Sequence, residues 1–389
     1  MTEKKRKVCV VVASRANYGR AKSIIRAIQQ SEILQLQLVV AGSALISRFG
    51  KVVDIIESDG FRVDERCHFV VDGATPRTMA SSTGLAIVEL SGAFERIKPD
   101  VVVTIADRYE TMATAIAASY MNIPLAHTQG GELTGSIDES VRHAITKLSH
   151  IHFPATELSK TRLKQMGENP EMIFNVGCPA MDEISNLSLE QTDEFRSFIN
   201  SNGVGDVIDF SKPYVVFLQH PVTNEFSAAE LQIEQSLLAL EELDIQKIVL
   251  WPNIDAGTDI FSNKIRSHRE NNKIQDARFL VNLPILYYAT LIKHAAFMLG
   301  NSSSAIREGS FLGVPGINVG SRQNKRERAT NIIDVSYDKE SILAAAEKIQ
   351  NEARPLPTDL YGDGHAGHKI AKALETASLE VKKEFFDIN

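Results

Sequence analysis

The sequence predicts an α/β protein made of two doubly wound parallel sheets, and three observations carry that expectation. Short apolar runs recur along the chain with helical stretches between them, the runs are continuous rather than alternating, and polar residues gather where the runs end. Strands covered by helices on both faces read as continuous apolar runs, which is the signature of a parallel sheet. The length of 389 residues is more than one core comfortably fills and suits two domains of ~100–200 residues each.

In chain order the runs are KVCVVVAS, LQLQLVVAGS, PDVVVTIADR, IPLAHTQGG, HIHFPAT and IFNVGCP, then PYVVFLQHP, KIVLWPNID, ARFLVNLP, AFMLGNSSS, VPGINVGSRQ and NIIDVS. Between Leu187 and Lys212 the series breaks into a polar, glycine-bearing, partly helical stretch. The boundary is placed just before it, with residues 1–182 in the first domain and 183–365 in the second. Ligands of open parallel sheets sit outside the carboxyl ends of the strands. Two such sheets facing an interdomain cleft would gather Ser14-Arg15, Asp107-Arg108, His127, His220, Asn253 with Asp255, and Asn301-Ser302-Ser303 there.

Composition excludes several classes of partner. A formal charge of −7 gives no long-range attraction for nucleic acid, and the basic runs are confined to Lys4–Lys7 and to Lys325-Arg326 with Arg328. The basic N-terminus leads into an apolar run with no small-residue cleavage site, so it reads as a strand rather than a signal peptide. No stretch approaches the length of a membrane span. Cys9, Cys67 and Cys178 are odd in number and scattered, which fits a reducing cytoplasm.

The strongest local motif is GNSSSAIREGSFLGVPGINVGSRQ (300–323). Ser302 and Ser303 offer hydroxyls and backbone N–H groups where a helix from about Ser304 would point its positive end at an anion such as a diphosphate. Glu308 is then in reach of the cis hydroxyls of a ribose. The plain alternative is an ordinary serine N-cap; three serines where one suffices, with Arg322 after the next strand, favour the ligand. No P-loop or G-x-G-x-x-G fingerprint is present.

Asp107, at the end of PDVVV, reads equally as the cap of the next helix or as a catalytic carboxylate. In LAHTQGGELTGSIDES (125–140), Ser136 to Glu139 match a capping box, followed by Ile137, Val141, Ile145 and Leu148 at helical spacing. Asp138 would sit in the first turn with Arg142 at i+4, both favouring its ionised form, whereas Glu132 lacks those stabilisers. His220 ends its strand, and Pro221 stops the ladder; the histidine is either structural or a stabiliser of phosphate charge. His143, His150 and His152 lack an accompanying ligand set, so no metal is expected.

Together these pieces resemble the hydrolysing UDP-N-acetylglucosamine 2-epimerases of sialic-acid-type sugar synthesis, including the epimerase half of the animal bifunctional enzyme. The matching stretches are SRANYG (14–19), DRYE (107–110), H-T-Q-G-G-E…G-S-I-D-E-S-V-R-H-A-I-T-K-L-S-H (127–150), QHPVT (219–223), PNIDAG (252–257), GNSSSAIRE (300–308), NVGSRQ (318–323) and YGDG (361–364). The resemblance implies a GT-B fold of two Rossmann-like domains, UDP held mainly by the second, and a C-terminal helix over about 366–389 packing back on the first.

It also implies that Asp107, Glu132, Asp138 and His220 act in catalysis. Arg15, Arg108, His127, Gln129, Asn253, Ser302, Ser303, Glu308 and Arg322 would then contact the UDP-sugar. Many relatives resemble H-I-E-G-G-E, with a carboxylate where this chain has Gln129. An amide cannot take up a proton in that role, so the base is left to Glu132, Asp138 or Asp107, with Glu132 favoured. The implied chemistry is removal of the C2 proton, anti departure of UDP and hydration of the resulting glycal, without metal or redox cofactor. A homodimer or homotetramer is the assembly the relatives suggest. UDP-GlcNAc, giving ManNAc and UDP, is the expected substrate, and the alternatives are its 2,4-diacetamido counterpart, a non-hydrolysing epimerase, a GT-B glycosyltransferase or a nucleotide-sugar-binding regulator.

Overall fold

The computed structural model describes residues 5–72, 75–134, 137–252, 258–281 and 283–387. The chain divides into two compact units. The first comprises Met1–Leu133, Ile137–Asn186 and Tyr361–Asn389, and the second Leu187–Leu360 with Thr134–Ser136.

The first unit carries strands β1 (Arg6–Val12), β2 (Leu34–Ala41), β3 (Glu65–Cys67), β4 (Val101–Ile105), β5 (Leu125–Thr128) and β6 (Ile151–Phe153). Its helices are α1 (Arg15–Gln30), α2 (Val52–Ser58), α3 (Pro76–Ile97), α4 (Tyr109–Tyr120), α5 (Ile137–Leu148), α6 (Glu157–Gln165) and α7 (Ala180–Ser185). All strands run parallel in the order β3-β2-β1-β4-β5-β6. The run KVCVVV shows why: Val8, Val10 and Val12 pack with α1 and α2, while Cys9 and Val11 pack with α3 and α4 on the opposite face.

The second unit contains β7 (Val204–Gly205), β8 (Tyr214–Leu218), β9 (Gln246–Leu250), β10 (Ala277–Leu280), β11 (Phe297–Gly300), β12 (Gly316–Val319) and β13 (Ile332–Val335). Its helices are α8 (Asp193–Ser201), α9 (Ala229–Glu242), α10 (Thr258–Glu270), α11 (Ile285–His294), α12 (Ser303–Ile306), α13 (Glu308–Leu312) and α14 (Lys339–Asn351). The order is β13-β12-β11-β8-β9-β10-β7, parallel except for the antiparallel pair of β7 with β10. α9, α10 and α14 cover one face, and α8 with α11 the other. Arg278 of β10 staples this edge: its guanidinium donates to the carbonyls of Asn200, Asn202 and Gly205, at 2.5, 3.1 and 2.9 Å.

The chain then returns to the first unit as α15 (Ala366–Thr376), whose Ile370 and Leu374 join the α1 side of the core. Contact with α1 is so close at Gly367 that an added Cβ would meet the backbone of Ser23 at 2.6 Å. The start of α15 is held by Asp182, whose carboxylate accepts from the N–H groups of Ala366 and Gly367 at 2.9 and 2.6 Å.

Three sequence expectations are corrected. IFNVGCP forms no strand beyond a single bridge between Ile173 and His152. The stretch from Leu187 to Lys212 contributes β7, too short for a periodic signal. The C-terminal helix ends at Thr376, where Arg6 donates to the carbonyls of Leu374 and Ala377. Beyond it Ala377, Leu379 and Lys383 turn inward at every second or fourth residue, the spacing of an extended chain. Among the described residues, no helix is long and apolar enough to cross a membrane.

Asp182→Ala removes a buried cap from α15. Thermal unfolding should show the loss as a destabilisation of about 1–2 kcal/mol, and an unchanged midpoint would refute the capping role.

Candidate active site

Strand order reverses between β1 and β4 in the first unit, which splays the chain at their carboxyl ends. Asn17 closes this seam: its Oδ1 accepts from Ala13 N and its Nδ2 donates to Ile105 O, both at 3.3 Å. Ser14 caps α1, and Arg15 is its exposed first residue. On the β4 side, Ala106 takes a positive φ of 64° and Asp107 follows. The N-cap of α4 is Arg108, so Asp107 is not the cap that one reading of the sequence made it. Arg108 itself leans on buried Glu110, Nε to Oε2 at 3.3 Å.

Asp107 instead receives Arg142 of α5. Arg142 is 1% exposed; its Nε donates to Asp107 Oδ2 at 3.1 Å, Nη2 donates to the same oxygen, and Nη1 donates to the Glu132 carbonyl at 2.6 Å. The i+4 spacing set Arg142 one turn from Asp138, and its long guanidinium also reaches the strand ends. One buried cation therefore ties Asp107 to the loop that presents Glu132. Glu132 is 4% exposed, whereas Asp138, in the first turn of α5, is exposed.

His127 and Gln129 are both buried. His127 is fully buried; Nε2 donates to the Ala106 carbonyl at 2.8 Å, and Nδ1 accepts from Thr146 Oγ1 at 3.4 Å. Burial drives its pKa down to about 3, with lesser pushes from His152 and Arg142, so the ring is neutral. Its bond to Ala106 steadies the peptide that precedes Asp107. Gln129, at 1% exposure and φ 62°, donates from Nε2 to Cys178 Sγ at 2.9 Å.

In the second unit the order reverses between β11 and β8, and the same logic recurs. Gly300, φ 135°, lies so near Leu218 that a Cβ would sit 2.1 Å from its carbonyl oxygen. Asn301 then bonds the His220 backbone twice, accepting its N–H at 2.7 Å and donating to its carbonyl at 2.8 Å. The Asn301 carbonyl in turn accepts from Arg322 Nη1 at 3.2 Å and Gln323 Nε2 at 2.9 Å. Burial, aided by Arg322, lowers the His220 pKa to about 3.

Ser302 caps α12 by accepting from Ser304 N at 3.3 Å, and Ser303 is the first helical residue. The helix starts one residue earlier than expected and spans four residues before Arg307 breaks it. Its dipole is correspondingly small. The groups gathered there are the hydroxyls of Ser302 and Ser303 and the cationic Arg322. Glu308 opens α13, half-buried. Asn253 lies outside the described residues. Each cluster thus stands at the switch point of its own sheet. Sequence reading placed Asn301 among the strand-end residues but missed Asn17, Gln323 and the bond from Arg142 to Asp107, although an asparagine just beyond a strand was a signal for Asn17 as well.

Residues 26–375 match the family described as UDP-N-acetylglucosamine 2-epimerase. The chain belongs to that family. A Legionella pneumophila relative, UDP-N,N'-diacetylbacillosamine 2-epimerase (hydrolyzing), is 35% identical over 96% of this chain and 97% of its own length. UDP-N-acetylglucosamine 2-epimerase of Neisseria meningitidis serogroup B is 29% identical over 99% of this chain and all of its own. The fold resembles two crystal structures of UDP-GlcNAc 2-epimerases. That from Neisseria meningitidis bound to UDP-GlcNAc has a TM-score of 0.80 at 17% identity, covering 95% of this chain and 99% of that one. That from Methanocaldococcus jannaschii in complex with UDP-GlcNAc and UDP has a TM-score of 0.79 at 22% identity and the same coverage. This epimerase is GT-B-like in fold class, with two Rossmann-like domains.

Arg142→Lys retains the charge but loses the fork that binds Asp107 and Glu132 together. We expect kcat for 2-epimerisation to fall at least about 100-fold in a folded protein, because misplacement of groups at an active site by an ångström has that scale of effect. Near-normal turnover would show that the clamp is dispensable.

The buried neutral histidines also set an acid limit. Burial holds His127 and His220 near 3 when folded, against the ordinary 6.5 of a histidine, so between those values only the unfolded chain gains their protons on acidification. Stability is full above about 6.5 and is lost as pH falls from there toward 3, by at most ~1.4 kcal/mol per pH unit for each ring. Urea midpoints between pH 6.5 and 5, above the main carboxylate range, check the sign; a midpoint rising on acidification would contradict it.

Proposed function

We propose that this chain is a hydrolysing UDP-2-acetamido-sugar 2-epimerase, converting its nucleotide sugar and water to UDP and the free 2-epimeric sugar. The observation that carries the proposal is the buried Arg142 joining Asp107 to the Glu132 loop in a chain of this family.

A C2 proton is weakly acidic, so the base must be positioned and withdrawn from water. Buried Glu132 meets that need better than exposed Asp138, and Asp107, whose charge is engaged by Arg142, suits stabilisation of the cationic anomeric centre. Glu132 takes the C2 proton as the C1–O bond breaks, and its electrons leave on the β-phosphate oxygen of UDP. Water then supplies hydroxyl to C1 and a proton to the opposite face of C2. Ser302, Ser303, Arg322 and His220 receive the diphosphate, Glu308 the ribose, and Arg15 and Arg108 lend further positive charge. Gln129, bonded to Cys178, serves to shape the loop rather than to move a proton.

For the substrate, the relatives at 35% and 33% identity, named for UDP- and for GDP/UDP-N,N'-diacetylbacillosamine respectively, favour the 2,4-diacetamido sugar over the UDP-GlcNAc first expected. All three cysteines are buried and outside any disulfide, which supports a reducing, cytoplasmic setting, and a homodimer or homotetramer is the assembly proposed.

NMR of both sugars incubated with enzyme in deuterated water tests the reading. Free 2-epimer bearing deuterium at C2, with UDP, is expected, faster from the diacetamido sugar; an intact epimerised nucleotide sugar would exclude hydrolysis. Glu132→Gln should abolish both UDP release and deuterium entry, and retention of either at the wild-type rate removes Glu132 as base. A bound diphosphate should also raise the pKa of His220. UDP binding near pH 6, measured calorimetrically in buffers of different ionisation enthalpy, should take up protons in wild type but not in His220→Gln.

A further inference from the structure

The segment after α15 makes contacts that a loose tail would not. Lys383, three-quarters withdrawn from water, donates from Nζ to the carbonyls of Thr146 and Ser149 at 3.0 and 2.5 Å, at the carboxyl end of α5. The Thr146 carbonyl has only a turn-type bond from Ser149 N at 3.1 Å, and Ser149 follows the last residue of α5, so both can take a cation, which there also meets the negative end of the dipole. Glu168, 1% exposed, holds the lysine from the other side at 2.5 Å and also pairs with His152 at 2.9 Å and Lys147 at 2.7 Å.

Two further bonds extend the grip. The Val381 carbonyl accepts from His150 Nε2 at 3.1 Å, while Nδ1 of the same ring accepts from Leu125 N at 3.1 Å, where β5 begins. Phe386 N donates to the Gly167 carbonyl at 2.9 Å, and Lys147 lies 5.2 Å from the Phe385 ring centroid.

Both elements gripped here lead to Asp107. α5 carries Arg142 and Asp138 at its other end; β5 carries His127, whose ring holds the Ala106 carbonyl. Thr146 joins them, offering its carbonyl to Lys383 and its hydroxyl to His127.

We propose that the extended segment 377–387 is a positioning element for the epimerase site, with Lys383 as the residue that locks α5 and β5 so that Arg142 holds Asp107 and the Glu132 loop in register. The inference rests on the catalytic role given to those carboxylates, and it assigns Lys383 no contact with substrate. Lys383 acts by restricting the rotation and slide of α5, which lowers kcat when released and leaves substrate affinity alone.

The test compares full-length wild type, Lys383→Met, and Lys383→Met combined with Glu168→Gln, which removes the buried carboxylate charge that the first change leaves to Lys147 and His152. Three measurements are made on each: kcat and KM for UDP release, the thermal midpoint, and hydrogen exchange of the α5 amides. In both variants we expect kcat about tenfold lower with KM within about twofold, and faster exchange over 138–142. The midpoint should fall in the single variant and recover in the double one.

A purely structural role predicts that kcat recovers with the midpoint in the double variant, and that result overturns the proposal. So does wild-type exchange in α5 in both variants. Should wild type release UDP from neither sugar, the functional reading fails, while the exchange measurement still decides whether the segment clamps α5.

Discussion

The rest of the molecule depends on a constraint of parallel sheets: at one place in each, neighbouring strands send their connections to opposite faces. There the carboxyl ends of two strands lose the helix that would otherwise cover them. Backbone groups at such a place still need partners. In this chain an asparagine supplies them in each unit, Asn17 between β1 and β4 and Asn301 between β11 and β8. Because these amides satisfy the seams, the neighbouring side chains of Asp107 in one unit and His220 in the other are not spent on them.

Electrostatics then separates side chains of similar appearance. Asp107, Glu132 and Asp138 are three carboxylates on neighbouring stretches, yet one is ion-paired with a buried guanidinium, one is buried on the loop the same guanidinium holds, and one is exposed. A buried charge pair is seldom favoured over an apolar pair for stability alone. Its value here lies in geometry, since the fork of Arg142 cannot satisfy Asp107 and the Glu132 carbonyl unless α5, β4 and the loop keep their spacing.

Much of this was legible from residues. Runs such as KVCVVV and PYVVFL announced buried parallel strands because both faces are apolar, and the residues just beyond them marked the carboxyl ends. Ser302 was readable as a cap from its residue type alone. What escaped was tertiary. Arg142 has Asp138 one helical turn away, which local spacing recognises, but its partner Asp107 lies 35 residues off and only the folded sheet brings it near. His127 looked like Asp107 or His220, a polar residue at a strand end; that β5 is flanked by β4 and β6, with its side chain enclosed, is a property of strand order and cannot be seen in one strand. The segment after Thr376 has the alternation of an extended chain, masked by lysines and glutamates that also suit a helix.

The staple at β7 has a consequence for life at high concentration. A parallel sheet whose last long strand were β10 would expose a row of unpaired backbone groups, a template for another chain's strand. β7 covers that row with two residues running the opposite way, and Arg278 binds the preceding turn so that the cover stays in place. A strand of two residues is itself too short to recruit a neighbour. Arg278, remote from either cluster of functional side chains, thereby guards the protein against self-association through its sheet edge.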